Sequence, residues 1–87
     1  MILYYHPRFR RNYKKLDPQI QATADDQVSL FRVDPFDARL DTHRLHGKLK
    51  NQWSFSVDKR YRIVFEFLNK KRDEVVLIDI GNHNLYS

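Results

Sequence analysis

The stretch WSFSVDKRYRIVFEF, Trp53 to Phe67, changes character at every second residue. Trp53, Phe55 and Val57 alternate with Ser54, Ser56 and Asp58. Tyr61, Ile63, Phe65 and Phe67 alternate with Arg60, Arg62, Val64 and Glu66. A period of two marks strands with one face in a core and one face wet. The break around Asp58-Lys59-Arg60 marks the turn of a hairpin. Directly opposed residues of a hairpin share a face, so the apolar pattern sets the register. Val57 is expected opposite Tyr61, Phe55 opposite Ile63 and Trp53 opposite Phe65. A two-residue turn at Asp58-Lys59 would oppose Phe55 to Arg62 and is excluded on that ground. Ser56 then lies across from Arg62 on the wet face.

Reading outward, the same period begins earlier, where Leu45, Gly47 and Leu49 alternate with Arg44, His46, Lys48 and Lys50. Downstream, the charged segment 69–74 reads as a turn before a last strand. There Val76, Ile78 and Ile80 are expected to point inward and Asp79 outward, in a register that opposes Arg62 to Asp79. Upstream the period is helical. His6-Pro7 opens a helix with Phe9, Tyr13 and Leu16 on one side and Arg8, Arg11, Lys14 and Lys15 on the other. Asp17-Pro18 ends it and starts a second helix, with Asp17 as N-cap and Ile20, Ala24, Val28 and Phe31 as its apolar stripe. Asp34-Pro35 stops that helix, and residues 1–5 read as a short strand. The fold class expected is α+β in the order β-αα-βββ, a helical hairpin packed on one face of a small antiparallel sheet.

The chain has 87 residues, the length of one domain, and no cysteine, which excludes a disulfide framework and a thiolate zinc site. No stretch approaches the ~20 apolar residues of a membrane helix. The N-terminus places its charges after a very short apolar run, the wrong order for a signal peptide, so a cytoplasmic protein is expected. Residues 17–41 hold six acids against Arg32 and Arg39, −4 in all, which leaves +9 for the rest of a chain of net charge +5. A basic body of this kind attracts phosphates through its long-range field.

Arg62 combines a mid-strand position with a planar fork suited to phosphate. His83 offers proton transfer near neutrality. Tyr86 is placed to stack on a base. Lys48 and Lys50 share a strand face and can form a phosphate rail. His43 and His46, at i and i+3, fall on opposite faces of a strand, so no shared metal ligation is expected there.

The segments THRLHGKLKNQWSFSVDKRYRIVFEF (42–67) and DIGNHNLYS (79–87) resemble the RelE/ParE superfamily of bacterial toxins, and most closely its RelE-like branch. The matching pieces are T-H-x-L-x-G-x-L at Thr42–Leu49, W-x-F-x-V at Trp53–Val57, Y-R-I-x-F at Tyr61–Phe65 and D-I-G-x-H-x-x-Y at Asp79–Tyr86. The resemblance implies a microbial-ribonuclease-like fold and cleavage of mRNA in the ribosomal A site, with no metal or other cofactor. The 2′-hydroxyl attacks the adjacent phosphate and the 5′-oxygen leaves. It implies Arg62, His83 and Tyr86 as catalytic residues. Arg44, His46, Lys48, Lys50, Ser54, Ser56, Lys59 and Arg60 are the RNA-binding set. Ser54 and Ser56 stand where the best-known members carry lysines, which leaves the general base to His46 or His83. A cognate acidic antitoxin is the implied partner, with a monomer when free and a hetero-oligomer in the complex. The alternatives are a ParE-like toxin that binds DNA gyrase without cutting RNA, and an inactive antitoxin-binding relic.

Overall fold

The computed structural model describes residues 1–46 and 51–82. Strand β1 (Ile2–Tyr5) leads into helix α1 (Pro7–Lys14), and helix α2 is Pro18–Val33. Both helices start as the sequence dictates. The His6 side chain caps α1 by accepting from the Arg8 N–H, and Asp17 caps α2 by accepting from Gln19 N–H at 2.9 Å, each with proline in the first turn. Asp34, held extended before Pro35, closes α2. Its carboxylate then accepts from the Phe36 N–H at 2.9 Å. Asp37 caps a 3₁₀ turn at Ala38–Leu40. The acidic stretch is therefore largely taken up by the helix ends and turns it builds.

Asp37 also chelates the Arg39 guanidinium, with Nε at 3.0 Å and Nη2 at 2.8 Å. That hydrogen bonding holds its carboxyl at about 2, below the ordinary 3.8. A depressed folded-state value means a contribution complete above the unfolded value and lost as pH falls through about 2. Asp37→Asn keeps the cap and removes the charge. Its melting temperature should fall below the parent's above about pH 4 and converge with it near pH 2, as followed by circular dichroism across pH.

The remaining strands are β2 (His43–Arg44), β3 (Trp53–Ser56), β4 (Tyr61–Phe67) and β5 (Glu74–Asn82), in the spatial order β1-β5-β4-β3-β2. The β3–β4 register is the one the alternation required: Trp53 opposes Phe65, Phe55 opposes Ile63 and Ser56 opposes Arg62. Val57 N–H bonds the Tyr61 carbonyl at 2.9 Å, and the Asp58 carboxylate ties the turn through the N–H groups of Arg60 and Tyr61, both at 2.8 Å.

Three expectations are corrected. The sheet is mixed, because β1 runs parallel to β5, with Ile2 opposite Glu74 and Tyr5 opposite Leu77. Arg62 opposes Gly81, and Asp79 opposes Val64, a slip of two residues from the expected pairing. The partner of β4 then jumps from Asp79 at Val64 to Leu77 at Phe65, which leaves Ile78 as the extra residue of a bulge. The bulge resets the alternation: Val75 and Leu77 are fully buried where Val76 and Ile78 were expected, and Ile80 points inward as expected. Of the expected strand at residues 44–50, β2 covers His43–Arg44, Leu45 N–H continues to the Gln52 carbonyl at 2.8 Å, and Gly47 to Lys50 lie outside the described residues.

The core joins Phe9 of α1 and Ala24 and Phe31 of α2 to Phe55, Ile63, Phe65, Val75, Leu77 and Ile80 of the sheet. Phe31 stacks on Phe55 with centroids 4.5 Å apart and meets Phe65 edge-on at 4.7 Å. Each such pair contributes about 0.5–1.5 kcal/mol beyond burial. Gln27 of α2 donates to the Ser56 carbonyl at 2.9 Å, fixing the helix over the end of β3. Among the described residues no helix is long and apolar enough to cross a membrane.

Candidate functional site

On the sheet face away from the core, β4 carries Arg62, and the guanidinium leans toward β3 and β2. Its Nε donates to Ser54 Oγ at 2.9 Å. Its Nη2 donates to the Asp41 carbonyl at 2.8 Å and lies 3.2 Å from His43 Nδ1, while Nη1 is 3.5 Å from Asp41 Oδ2. Arg62 is only 7% exposed, so it is a built-in group and not the solvent-facing arginine expected from alternation. Burial pushes its guanidinium below the ordinary value against the pull of Asp41, and an arginine keeps its charge through such shifts. Three elements converge on it because Asp41, in a left-handed conformation at φ 48°, turns the chain from the 3₁₀ helix into β2. Gly81 opposite Arg62 adds no side chain to that side of the pair. Among the described residues the partner of Nη1 is the Asp41 carboxylate at 3.5 Å.

The other expected residues separate into groups. Ser54, expected in the RNA-binding set, is fully buried and serves as the acceptor that orients Arg62. Ser56 is half-buried and donates to the Asp58 carbonyl at 3.0 Å, a turn contact. Lys59 and Arg60 are exposed at the β3–β4 turn. Arg44 opposes Trp53 and so lies on the helix side of the sheet, opposite the face that bears Arg62. His46 is exposed beyond β2. His83, Tyr86, Lys48 and Lys50 lie outside the described residues.

Asp79 does not pair with Arg62. It is 8% exposed and belongs to α1, accepting from Asn12 Nδ2 at 2.6 Å, with Arg8 Nη1 at 3.8 Å. Asn12 and Arg8 are four residues apart on one helix face, so this carboxylate anchors α1 to the end of β5.

His43 is the residue that alternation undervalued. It opposes Ser54, which places it on the Arg62 face. Its Nδ1 also lies 3.1 Å from the Asp41 carbonyl. A proton on Nδ1 would be donated to that carbonyl and leave Nε2 as the lone-pair nitrogen; a bare Nδ1 would accept from Arg62 and leave the proton on Nε2. Either tautomer presents Nε2, which has no partner among the described residues, as a proton acceptor or donor beside a fixed cation. The signal was present in the T-H-x-L segment, but strand parity alone does not say which residue sits beside Arg62. Among the described residues no three His, Cys, Asp or Glu groups stand together as a metal site.

A helical pair on a five-stranded mixed sheet is the architecture of the RelE-like toxins. The family model for the RelE-like toxin HigB of type II toxin–antitoxin systems matches residues 10–80, and the chain belongs to that family. No curated protein matches the sequence. Among solved structures, the YoeB/ParE toxin from Agrobacterium tumefaciens superposes with a TM-score of 0.79 at 17% identity, covering 95% of this chain and 99% of that one. YafQ from E. coli gives 0.77 at 14% identity, covering 95% and 93%. The intact E. coli RelBE toxin–antitoxin complex gives 0.69 at 17% identity, covering 92% and 93%.

Proposed function

We propose that the chain is the toxin of a type II toxin–antitoxin system that cuts mRNA on the ribosome. The observation that carries this reading is the buried Arg62 held by Ser54 and Asp41 with His43 against its Nη2. In the proposed reaction the RNA 2′-hydroxyl attacks the adjacent phosphorus, the bond to the 5′-oxygen breaks, and a cyclic phosphate and a free 5′-hydroxyl result. Arg62, fixed beneath the row by Ser54 and the Asp41 carbonyl, supplies positive charge as charge builds on the phosphorane. His43 Nε2 removes the 2′-hydroxyl proton, and His83 supplies the proton to the leaving oxygen. Tyr86 stacks on the substrate, and Lys48, Lys50, Lys59 and Arg60 carry phosphate contacts.

The test is cleavage of a defined mRNA by the purified protein with and without ribosomes. Cleavage only with ribosomes supports the reading. No cleavage, with inhibited gyrase supercoiling, would place the chain with the gyrase-binding toxins instead; neither activity would make it an antitoxin-binding relic.

An acidic antitoxin is the partner proposed, in keeping with the RelBE complex that the fold superposes on. Because Arg62 is buried, the antitoxin is not expected to grip that guanidinium directly. Between α1 and α2 lies a groove of about 560 Å³, floored by Phe9, Ala24 and Val28 and rimmed by Arg10, Lys14 and Arg32. The acid on that rim, Asp25, is engaged by the Tyr13 hydroxyl at 2.8 Å. Such a surface suits an amphipathic acidic segment. Affinity for the antitoxin should fall about tenfold between 50 and 500 mM salt, since rim charges are screened within a Debye length of several ångströms. Titration calorimetry across salt checks this, and an unchanged affinity would argue for a purely apolar interface.

A further inference from the structure

The helix side of the sheet ends in an aromatic cluster that the proposed reaction does not use. Trp53, the single tryptophan of the chain, lies nearly parallel to Phe65 at 6.4 Å and edge-on to Phe36 at 5.6 Å and Phe67 at 5.7 Å. These contacts fix the plane of the indole while leaving it half-buried. Two exposed guanidiniums come to it from separate parts of the chain: Arg44 at 5.7 Å from its centroid and Arg72 at 5.4 Å. Arg72 also lies over Phe67 at 4.9 Å and Phe36 at 5.4 Å.

Arg72 occupies left-handed backbone, φ 59°, which is uncommon for a residue with a long side chain. The turn is locked in that shape by the Arg72 N–H to the Asn69 carbonyl at 3.2 Å and by Asn69 Nδ2 to Asp73 at 2.5 Å. Beside the indole opens a cleft of about 380 Å³ lined by Arg44, Arg72, Lys70, Asn51 and Asn69, with Glu66 as its acid. Volumes of this order take a small ligand.

The chemistry of these groups is specific. The Arg44 and Arg72 guanidiniums lie over the indole ring, and such a guanidinium–indole layer offers stacking to any base, while Lys70 offers charge to a neighbouring phosphate. An acidic peptide would use the charges but has no need of the ring plane. Arg44 and Trp53 share the helix-side face, whereas His43 and Arg62 are on the other. This cleft is thus separate from the proposed catalytic row.

We propose that it is a second RNA-contact site, taking one unpaired base on the guanidinium layer over Trp53 with its phosphate on Lys70. The inference rests on the reading of the chain as an RNA-directed toxin, but its test does not depend on cleavage. Trp53 is the only indole, so its emission reports this cleft alone. The probe is the octanucleotide rU8, whose bases stack poorly on one another, titrated at low salt, with an octaglutamate peptide as the acidic comparison.

Saturable quenching by rU8 is expected, with little response to octaglutamate. Arg44→Ala and Lys70→Ala should each weaken the apparent affinity several-fold and reduce its salt dependence. Both side chains are exposed, so neither variant should alter the melt. Absence of quenching by rU8, or quenching untouched in both variants, would overturn the site and leave an aromatic cluster with a purely structural role. Equal quenching by octaglutamate would assign the surface to an acidic protein segment. A protein that cleaves mRNA but does not quench loses this site alone; one that quenches but never cleaves keeps the site and loses the nuclease reading.

Discussion

Arg62→Ala should lose both stability and activity. The guanidinium is the donor to Ser54 Oγ, and Ser54 is fully buried. Removing it strands that hydroxyl, a cost of about 1–3 kcal/mol for a buried polar group left unsatisfied. For a domain of this size that corresponds to a fall of roughly 5–15 °C in Tm. Because Arg62 is buried, its loss is not the neutral surface change that alternation implied. Cleavage, measured at a temperature where the variant is folded, should drop about a hundredfold or more, the scale of a lost transition-state anion contact.

Arg62→Lys tests whether charge alone suffices for either role. A lysine keeps the charge but cannot reproduce the fork that reaches Ser54 and the Asp41 carbonyl together. It should regain little of either property. A parent-like melt for Arg62→Ala would refute the structural role, and parent-like cleavage would remove Arg62 from the proposed chemistry.

His43→Gln should lower cleavage by about 10²–10⁴-fold, the usual range for a general acid–base group. Its melt should stay within about 0.5 kcal/mol of the parent's, because the side chain is exposed and glutamine can still accept from Arg62. The second readout is the pH–rate profile. If His43 moves the proton, the limb produced by an ionising histidine disappears in the variant; a residue that merely supports Arg62 would scale the profile without changing its shape. Unaltered cleavage would transfer the base to His46 or His83.

The local devices of the fold were legible in the chain itself. His6-Pro7, Asp17-Pro18 and Asp34-Pro35 mark helix ends because capping and proline restrictions act over two or three neighbouring residues. The β3–β4 hairpin was readable to the residue, since a short turn leaves few registers and only one buries Phe55 and Ile63 together. The segments that resemble RelE-like toxins were equally visible, and the family match over residues 10–80 agrees with the first of them.

Tertiary structure decided the rest. Alternation shows that a strand is half-buried, not which strand it joins or in what direction, so the parallel β1–β5 pairing was hidden. Nothing local marks Ile78 as a bulge, yet that one residue exchanges Val76 and Ile78 for Val75 and Leu77 in the core, and a separate two-residue slip sets Asp79 opposite Val64, where it meets α1. Arg62 and Ser54 are eight residues apart, and Asp41 and Arg62 twenty-one, so their meeting depends on the turn at Asp41 and the packing of β2 on β3. The sequence by itself determined the elements and the chemical groups available. Which groups became a buried cation beside a histidine was decided by non-local pairing, whose energy appears only once the sheet has closed.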